Sequence, residues 1–211
     1  MAIGKFITFE GGEGCGKSTQ VRRLKFELEK LGIKVLLTRE PGGTSLAEKI
    51  RALLKDELED PPCDRTELLL FLAARAQLTE KVIAPALAAG TWVVSDRFSD
   101  STVAYQGYGR GLPLPLIRTA NDFACGVIRP DLTVLLEVDP ATAAERMRRR
   151  EKDTATCADR IELAGDDFHQ RLREGFDEIA RLEPERVKRV DAGGTPDEVW
   201  ERIWKLLTPF L

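Results

Sequence analysis

Histidine is nearly missing from this chain: His169 is the only one in 211 residues. A centre built from several imidazoles is therefore out of reach, and His169 is read as structural or exposed. The four cysteines, Cys15, Cys63, Cys125 and Cys157, include no C-x-x-C pair, which excludes a zinc ribbon or a disulfide framework and points to reduced thiols. No apolar run approaches the length of a membrane span. The N-terminal residues enter a strand pattern at Lys5 and leave no room for a signal peptide, so a cytoplasmic protein with no membrane partner is expected. Excess positive charge is absent too: 32 Lys and Arg stand against 35 acids, for a net charge of -3. That balance argues against a nucleic-acid partner and requires any anion to be met by local basic clusters. Repeats and low-complexity segments are also missing. What remains is 43% apolar and 32% charged, the make-up of one globular domain with a full core.

The most informative stretch is Gly11-Gly12-Glu13-Gly14-Cys15-Gly16-Lys17-Ser18, which satisfies G-x-x-x-x-G-K-[ST]. Closely spaced glycines let successive backbone N–H groups turn toward one anion, and a following helix aims its positive end at the same point. Lys17 would reach the β and γ phosphates of a nucleoside triphosphate and the Ser18 hydroxyl would ligate Mg²⁺, with Thr19 beside it. The context is right for a phosphate loop: an apolar strand before it, and Val21, Leu24, Leu28 and Leu31 at helical spacing after it. Cys15, inside the loop, is expected to be sensitive to oxidation.

Strand and helix signals alternate along the rest. Ile33 to Thr38, Thr91 to Ser95, Leu132 to Val138 and Arg186 to Val190 read as further buried strands. Ser45-x-x-Glu48, Asp64-x-x-Glu67 and Thr195-Pro196-x-Glu198 read as capping boxes, and Asp139-Pro140 as a cap with a first-turn proline. The helix from Asp64 is expected to run to about Gly90 with a bend at Pro85. It is apolar on more than one side at Leu68 to Leu72, which suggests a homodimer interface. The alternation implies a three-layer α/β domain with a parallel sheet of about five strands. Asp96-Arg97 then falls at a strand's carboxyl end, the ligand-binding edge of such a sheet. The arginine-rich stretch at about 148–160, carrying Arg148, Arg149, Arg150 and Arg160, is expected to form a mobile lid over the transferred phosphate.

A guanine-reading N-K-x-D segment is absent, and the chain is too short for a large ATPase, so a small nucleotide kinase fits best. Three segments make the resemblance specific: Phe9 to Gln20, Thr38 to Thr44, and Asp96-Arg97-Phe98-x-x-Ser101-Thr102-x-Ala104-Tyr105-Gln106-Gly107. They closely resemble the signatures of the thymidylate kinases, bacterial type, in the same order and across nearly the whole chain. The resemblance implies a P-loop nucleoside monophosphate kinase fold. It also implies phosphorylation of dTMP to dTDP with ATP and Mg²⁺ as part of dTTP supply.

Residue by residue, it implies that Phe71 stacks on thymine and Arg75 bonds its carbonyl, with Thr102 and Gln106 completing the base edge. Tyr105 would crowd the sugar's 2′ position and Glu13 would lie near the 3′-hydroxyl. Arg97, Arg39 and Arg51 would hold the acceptor phosphate, and Arg146 with the Asp191-Ala192-Gly193 loop would flank adenine. Asp96 is the favoured Mg²⁺-associated carboxylate, with Glu137 and Asp139 as competitors. Catalysis would rest on Lys17, Asp96, Arg97 and the arginines 148–150, because the loop's variable positions hold no basic residue. Alternatives are a kinase acting on dUMP, dCMP or a nucleoside, and a catalytically silent ATP-binding module.

Overall fold

The computed structural model describes residues 4–56, 58–154 and 165–211. Five strands, β1 (Phe6–Glu10), β2 (Val35–Arg39), β3 (Trp92–Asp96), β4 (Leu132–Glu137) and β5 (Val187–Asp191), form one sheet in the order β2-β3-β1-β4-β5. Every pairing is parallel. The expected sheet is therefore the observed one, with strand ends moved by a residue or two. Parallel strands need crossover helices, and these sandwich the sheet.

The two faces of the sheet differ in content because successive residues point to opposite sides. On one face Ile7, Phe9, Val94, Leu132, Val134 and Leu136 pack against α1 (Lys17–Lys30) and α9 (Pro196–Leu207) in a continuous apolar core. The other face carries Phe6, Val93 and Leu135 beneath α3 (Asp64–Leu78), α6 (Leu114–Cys125) and α8 (Asp166–Leu182). It also carries a buried polar row. Thr8 and Thr133 share a hydrogen bond at 2.7 Å, and Asp100 accepts from both Thr133 and Arg186. The row leads to Glu10 at the sheet edge.

The remaining helices are α2 (Ser45–Lys55), α4 (Ala84–Ala88), α5 (Ser99–Thr102) and α7 (Pro140–Thr154). Two capping expectations change. The α2 cap is Thr44, which accepts from Ala47 N, while Glu48 turns to Gly43 N and Arg39. At α3 neither Asp64 nor Glu67 caps: the N-cap is Cys63, without a side-chain capping bond, and Glu67 is wholly buried. The box at Thr195 and Glu198 is present, as is the Asp139 cap on Thr142 N. The long third helix does not simply bend at Pro85. It widens into a π-helical turn at Thr79–Ile83, which leads into α4 and seats Pro85 in its first turn. A second π-helical stretch, Val103–Gly109, continues α5 and carries Tyr105 and Gln106. Cys15, Cys63 and Cys125 are free thiols, and no helix among the described residues is long and apolar enough to cross a membrane. Cys157, Arg160 and the lid expected at about 148–160 lie wholly or partly outside the described residues.

Candidate active site

β1, β2 and β3 all end on one edge of the sheet, and a cavity of about 860 Å³ opens there. At its floor is the loop after β1. Gly11, Gly14 and Gly16 have φ of 131°, 71° and 91°, a conformation that side chains rarely adopt. At Gly14 space matters as well, since a Cβ would lie 2.5 Å from the Ala143 carbonyl oxygen of α7. The Lys17 ammonium threads the loop and donates to the carbonyls of Gly11 (2.9 Å) and Gly12 (2.7 Å). The Cys15 thiol is buried and donates to the Gly12 carbonyl at 3.0 Å.

Beside the loop, Ser18 Oγ donates to Asp96 Oδ2 at 2.7 Å, joining the first turn of α1 to the end of β3. Both groups line the cavity. Glu137 and Asp139, the competing carboxylates, are engaged elsewhere: Glu137 by Arg189 and Asp139 by the α7 cap. Among the described residues no cluster of three or more His, Cys, Asp or Glu could cage a metal. One hydroxyl and one carboxylate suit Mg²⁺, which usually keeps its waters and completes its shell with substrate phosphates.

Arg97 follows Asp96 with φ 73°, the one positive value at a non-glycine residue among those described. Its turn is fixed by Glu10, which accepts from Phe98 N (2.8 Å), Ser101 N (3.3 Å) and Ser101 Oγ (2.6 Å). The guanidinium reaches Gly11 O at 3.0 Å and pairs with Glu13, which also accepts from the Tyr105 hydroxyl at 3.2 Å. Burial works to raise the Glu13 carboxyl, but Arg97, Lys17 and Lys55 with the Tyr105 hydroxyl outweigh it and bring it down to about 2. Glu10 goes the other way. Burial and the nearby Asp100 push it up to about 7, only partly offset by Arg97 and its donors.

At the far end Phe71, Thr102, Tyr105 and Gln106 line the cavity. Arg75, expected at the base carbonyl, is 1% exposed and stands one layer behind this wall. It donates to Glu40 (2.9 and 2.6 Å), Thr102 Oγ1 (2.9 Å), Asn121 Oδ1 (2.6 Å) and the Phe98 carbonyl (3.1 Å). Burial raises the Glu40 carboxyl despite Arg75. Burial also acts against the Arg75 guanidinium, but Glu40 holds it above the usual arginine value.

Arg39 and Arg51 line the mouth; Arg39 pairs with Glu48, and Arg51 donates to the Pro41 carbonyl. Gly14, Cys15, Gly16 and Thr19 also line this cavity. Arg146 donates to the carbonyls of Ala192 (3.0 Å) and Gly194 (2.9 Å), which brings it to the loop named with it for adenine. The three consecutive arginines of α7 divide: Arg149 and Arg150 line the main cavity, whereas Arg148 lines a second one of about 610 Å³ behind the loop. Gly11, Gly12 and His169 also line the second cavity.

Several residues of the site were given no role in it by the sequence reading, although Glu10, Glu40 and Ser101 lie inside the signature segments. Glu40, Lys55 and Ser101 line the main cavity, and Glu10, Glu67 and Asn121 support its walls from the buried side. The only signal for Glu67 was its place one helical turn before Phe71.

Similarity to known proteins runs through the same segments. A family model described as thymidylate kinase matches residues 9–203. The thymidylate kinase of Pelobacter propionicus is 48% identical over 202 residues, covering 95% of this chain and 92% of that protein. That of Solidesulfovibrio magneticus is 48% identical over 208 residues, covering 98% of this chain and all of its own length. The crystal structure of thymidylate kinase from Ehrlichia chaffeensis superposes with a TM-score of 0.77 at 34% identity, covering 97% of this chain and 98% of that one. By sequence along nearly its full length and by fold, the chain belongs to the thymidylate kinase family.

Proposed function

We propose that this protein transfers the γ-phosphoryl group of ATP to the 5′-phosphate of dTMP, giving dTDP and ADP for dTTP supply. The observation that carries this is a single cavity with a phosphate loop at one end and an aromatic and amide wall at the other, joined by Arg97. The attacking phosphate oxygen is already anionic, so no strong base is required, and positioning and charge neutralisation supply the rate. Lys17 and the loop amides bind the donor phosphates. Ser18 and Asp96 would hold Mg²⁺, which when bound neutralises and orients those phosphates.

Arg97, held in its turn by Glu10 and aimed by Glu13, grips the acceptor phosphate, with Arg39 and Arg51 at the mouth. Phe71 stacks on thymine, Thr102 and Gln106 read its edge, and Arg75 acts on that edge through Thr102. Tyr105 and Glu13 border the sugar, which favours deoxyribose. Arg149 and Arg150 face the donor and are the arginines of the lid; Arg146 flanks adenine.

A homodimer in the cytoplasm is part of the same reading. Its support is the set of exposed apolar side chains on the helices α3 and α6, where Leu69, Leu116 and Phe123 are 65%, 56% and 90% exposed and Val127, just beyond, is 94%. Sedimentation giving a monomer at micromolar concentration would sink the dimer. The activity is tested by a coupled assay with Mg·ATP and a panel of nucleoside monophosphates. dTMP should turn over fastest; faster turnover on dCMP or a nucleoside, or none on any acceptor, would overturn the assignment.

A further inference from the structure

Two buried rungs connect α3 to the segment carrying Thr102 and Gln106. In one, Arg75 Nη1 donates to Thr102 Oγ1 at 2.9 Å. In the other, Glu67 accepts from Gln106 Nε2 at 2.9 Å and from Arg110 Nε and Nη2 at 3.2 and 3.1 Å. Glu67, Phe71 and Arg75 are four residues apart on α3, so they share one helical face. Both rungs back residues that line the cavity, and Glu67 is itself 0% exposed.

We infer that Glu67 is a positioning residue: it sets which end of the Gln106 carboxamide faces the base, and so selects a pyrimidine that donates a proton at N3. The inference rests on dTMP being the acceptor.

A carboxylate paired with arginine only accepts hydrogen bonds, whereas a carboxamide donates from nitrogen and accepts at oxygen. Gln106 must therefore turn Nε2 toward Glu67, because a flipped amide would set two oxygens against each other in a buried site. That leaves Oε1 as the acceptor on the cavity side. The other rung fixes the opposite sense. Arginine has no acceptor, so Thr102 Oγ1 receives from Arg75 and keeps its own proton to give. Donor at Thr102 and acceptor at Gln106 match the 4-keto oxygen and N3–H of thymine. Cytosine offers an amino group and a bare N3 and mismatches at both. A site built to pair polar groups rejects a partner that leaves them unpaired far more strongly than an apolar pocket rejects a shape.

The test compares kcat/KM for dTMP and dCMP in the unmutated enzyme, in Glu67→Gln and in Arg110→Lys. An amide at position 67 can accept or donate, so it no longer enforces the orientation of Gln106. Glu67→Gln should lower the dTMP:dCMP ratio at least about tenfold through KM, with kcat for dTMP within about twofold. Arg110→Lys, which loosens the same ion pair and leaves the Gln106 bond, should keep the ratio within about twofold. An unchanged ratio in Glu67→Gln, or an equal loss in Arg110→Lys, overturns the inference. Unmutated enzyme that fails to prefer dTMP instead overturns the acceptor assignment beneath it. Should Glu67→Gln not fold, side-chain amide NMR of the unmutated enzyme decides, with Gln106 assigned by its loss in Gln106→Leu. One slowly exchanging carboxamide proton supports the bond, and two freely exchanging ones overturn it.

Discussion

The two ends of the cleft are made of opposite materials. At the phosphate end the floor is one short stretch of backbone, with glycines at φ 71° to 131° and a lysine threaded through its own loop. At the base end the wall is made of side chains from separate elements, two of them held from behind by buried partners: Thr102 by Arg75, which Glu40 and Asn121 enclose, and Gln106 by Glu67. A local loop is specified by adjacent residues. A wall of side chains is specified by residues far apart, and it ties binding to the stability of the whole domain. Lesions at the phosphate end should therefore cost rate, and lesions behind the base wall should cost stability.

The sharpest way to break that contrast is Glu40→Ala. It strands the Arg75 charge in the interior, and loss of one partner of a buried pair costs about 3–5 kcal/mol. Urea unfolding should show that loss; a change below about 1 kcal/mol would place Glu40 on the catalytic side instead. Lys17→Ala is its counterpart. Turnover should fall about 10²–10³-fold while the unfolding midpoint stays close to that of the unmutated protein. Within the phosphate end, Arg149→Ala with Arg150→Ala should lower kcat by about 10–100-fold with little change in KM for dTMP. Arg148→Ala, facing the second cavity, should stay within about threefold. Equal losses in the two experiments would mean that the direction each arginine faces in α7 does not sort them.

The smallest effect is a pair of pH slopes of opposite sign. Glu13 is held at about 2, below its ordinary 4.5, so its contribution to stability is full above 4.5 and is lost as pH falls toward 2. Glu10 is raised to about 7, so its contribution is full below 4.5 and is lost as pH rises through 7. Subtracting the unfolding energies of Glu13→Gln and Glu10→Gln from those of the unmutated protein should give the two slopes, each at most on the order of 1 kcal/mol per pH unit. Slopes of the same sign would refute the assignment.

The same contrast explains what could be read from sequence. The phosphate loop was legible because eight adjacent residues carry it, and the strands because buried parallel strands are apolar runs of fixed length. Asp96-Arg97 followed from the rule for strand ends. The base wall was legible only through family resemblance, which named Phe71, Thr102, Tyr105 and Gln106 at the cavity, put Arg75 there as well although it stands behind them, and did not name Glu40, Glu67 or Asn121. Glu67 read as a cap because a carboxylate in a first turn looks the same whichever way it points. Ser45 read as a cap because Thr44, the actual one, offers the same hydroxyl a residue earlier. Arg75 shows a further limit: nothing in Phe71-Leu72-Ala73-Ala74-Arg75 reveals that the guanidinium is enclosed by Glu40 and Asn121, 35 and 46 residues away. The arginines 148–150 were grouped because they are consecutive, although neighbours on a helix point about 100° apart.

The wide turn at Val103–Gly109 bears on which changes in length this chain can accept. A π turn is an α-helix holding one residue too many, and here the surplus puts Gly109 under the Phe168 ring of α8 and Arg110 against Glu67. Deleting any one residue between 103 and 109 would relax the turn to an ordinary helix and swing everything after it by about 100°. Arg110 would then leave Glu67, and a side chain larger than glycine would meet α8. A deletion here would act at a distance, through angle as well as through the residue lost, so homologous helices should keep the length of this stretch as strictly as the residues at Tyr105 and Gln106.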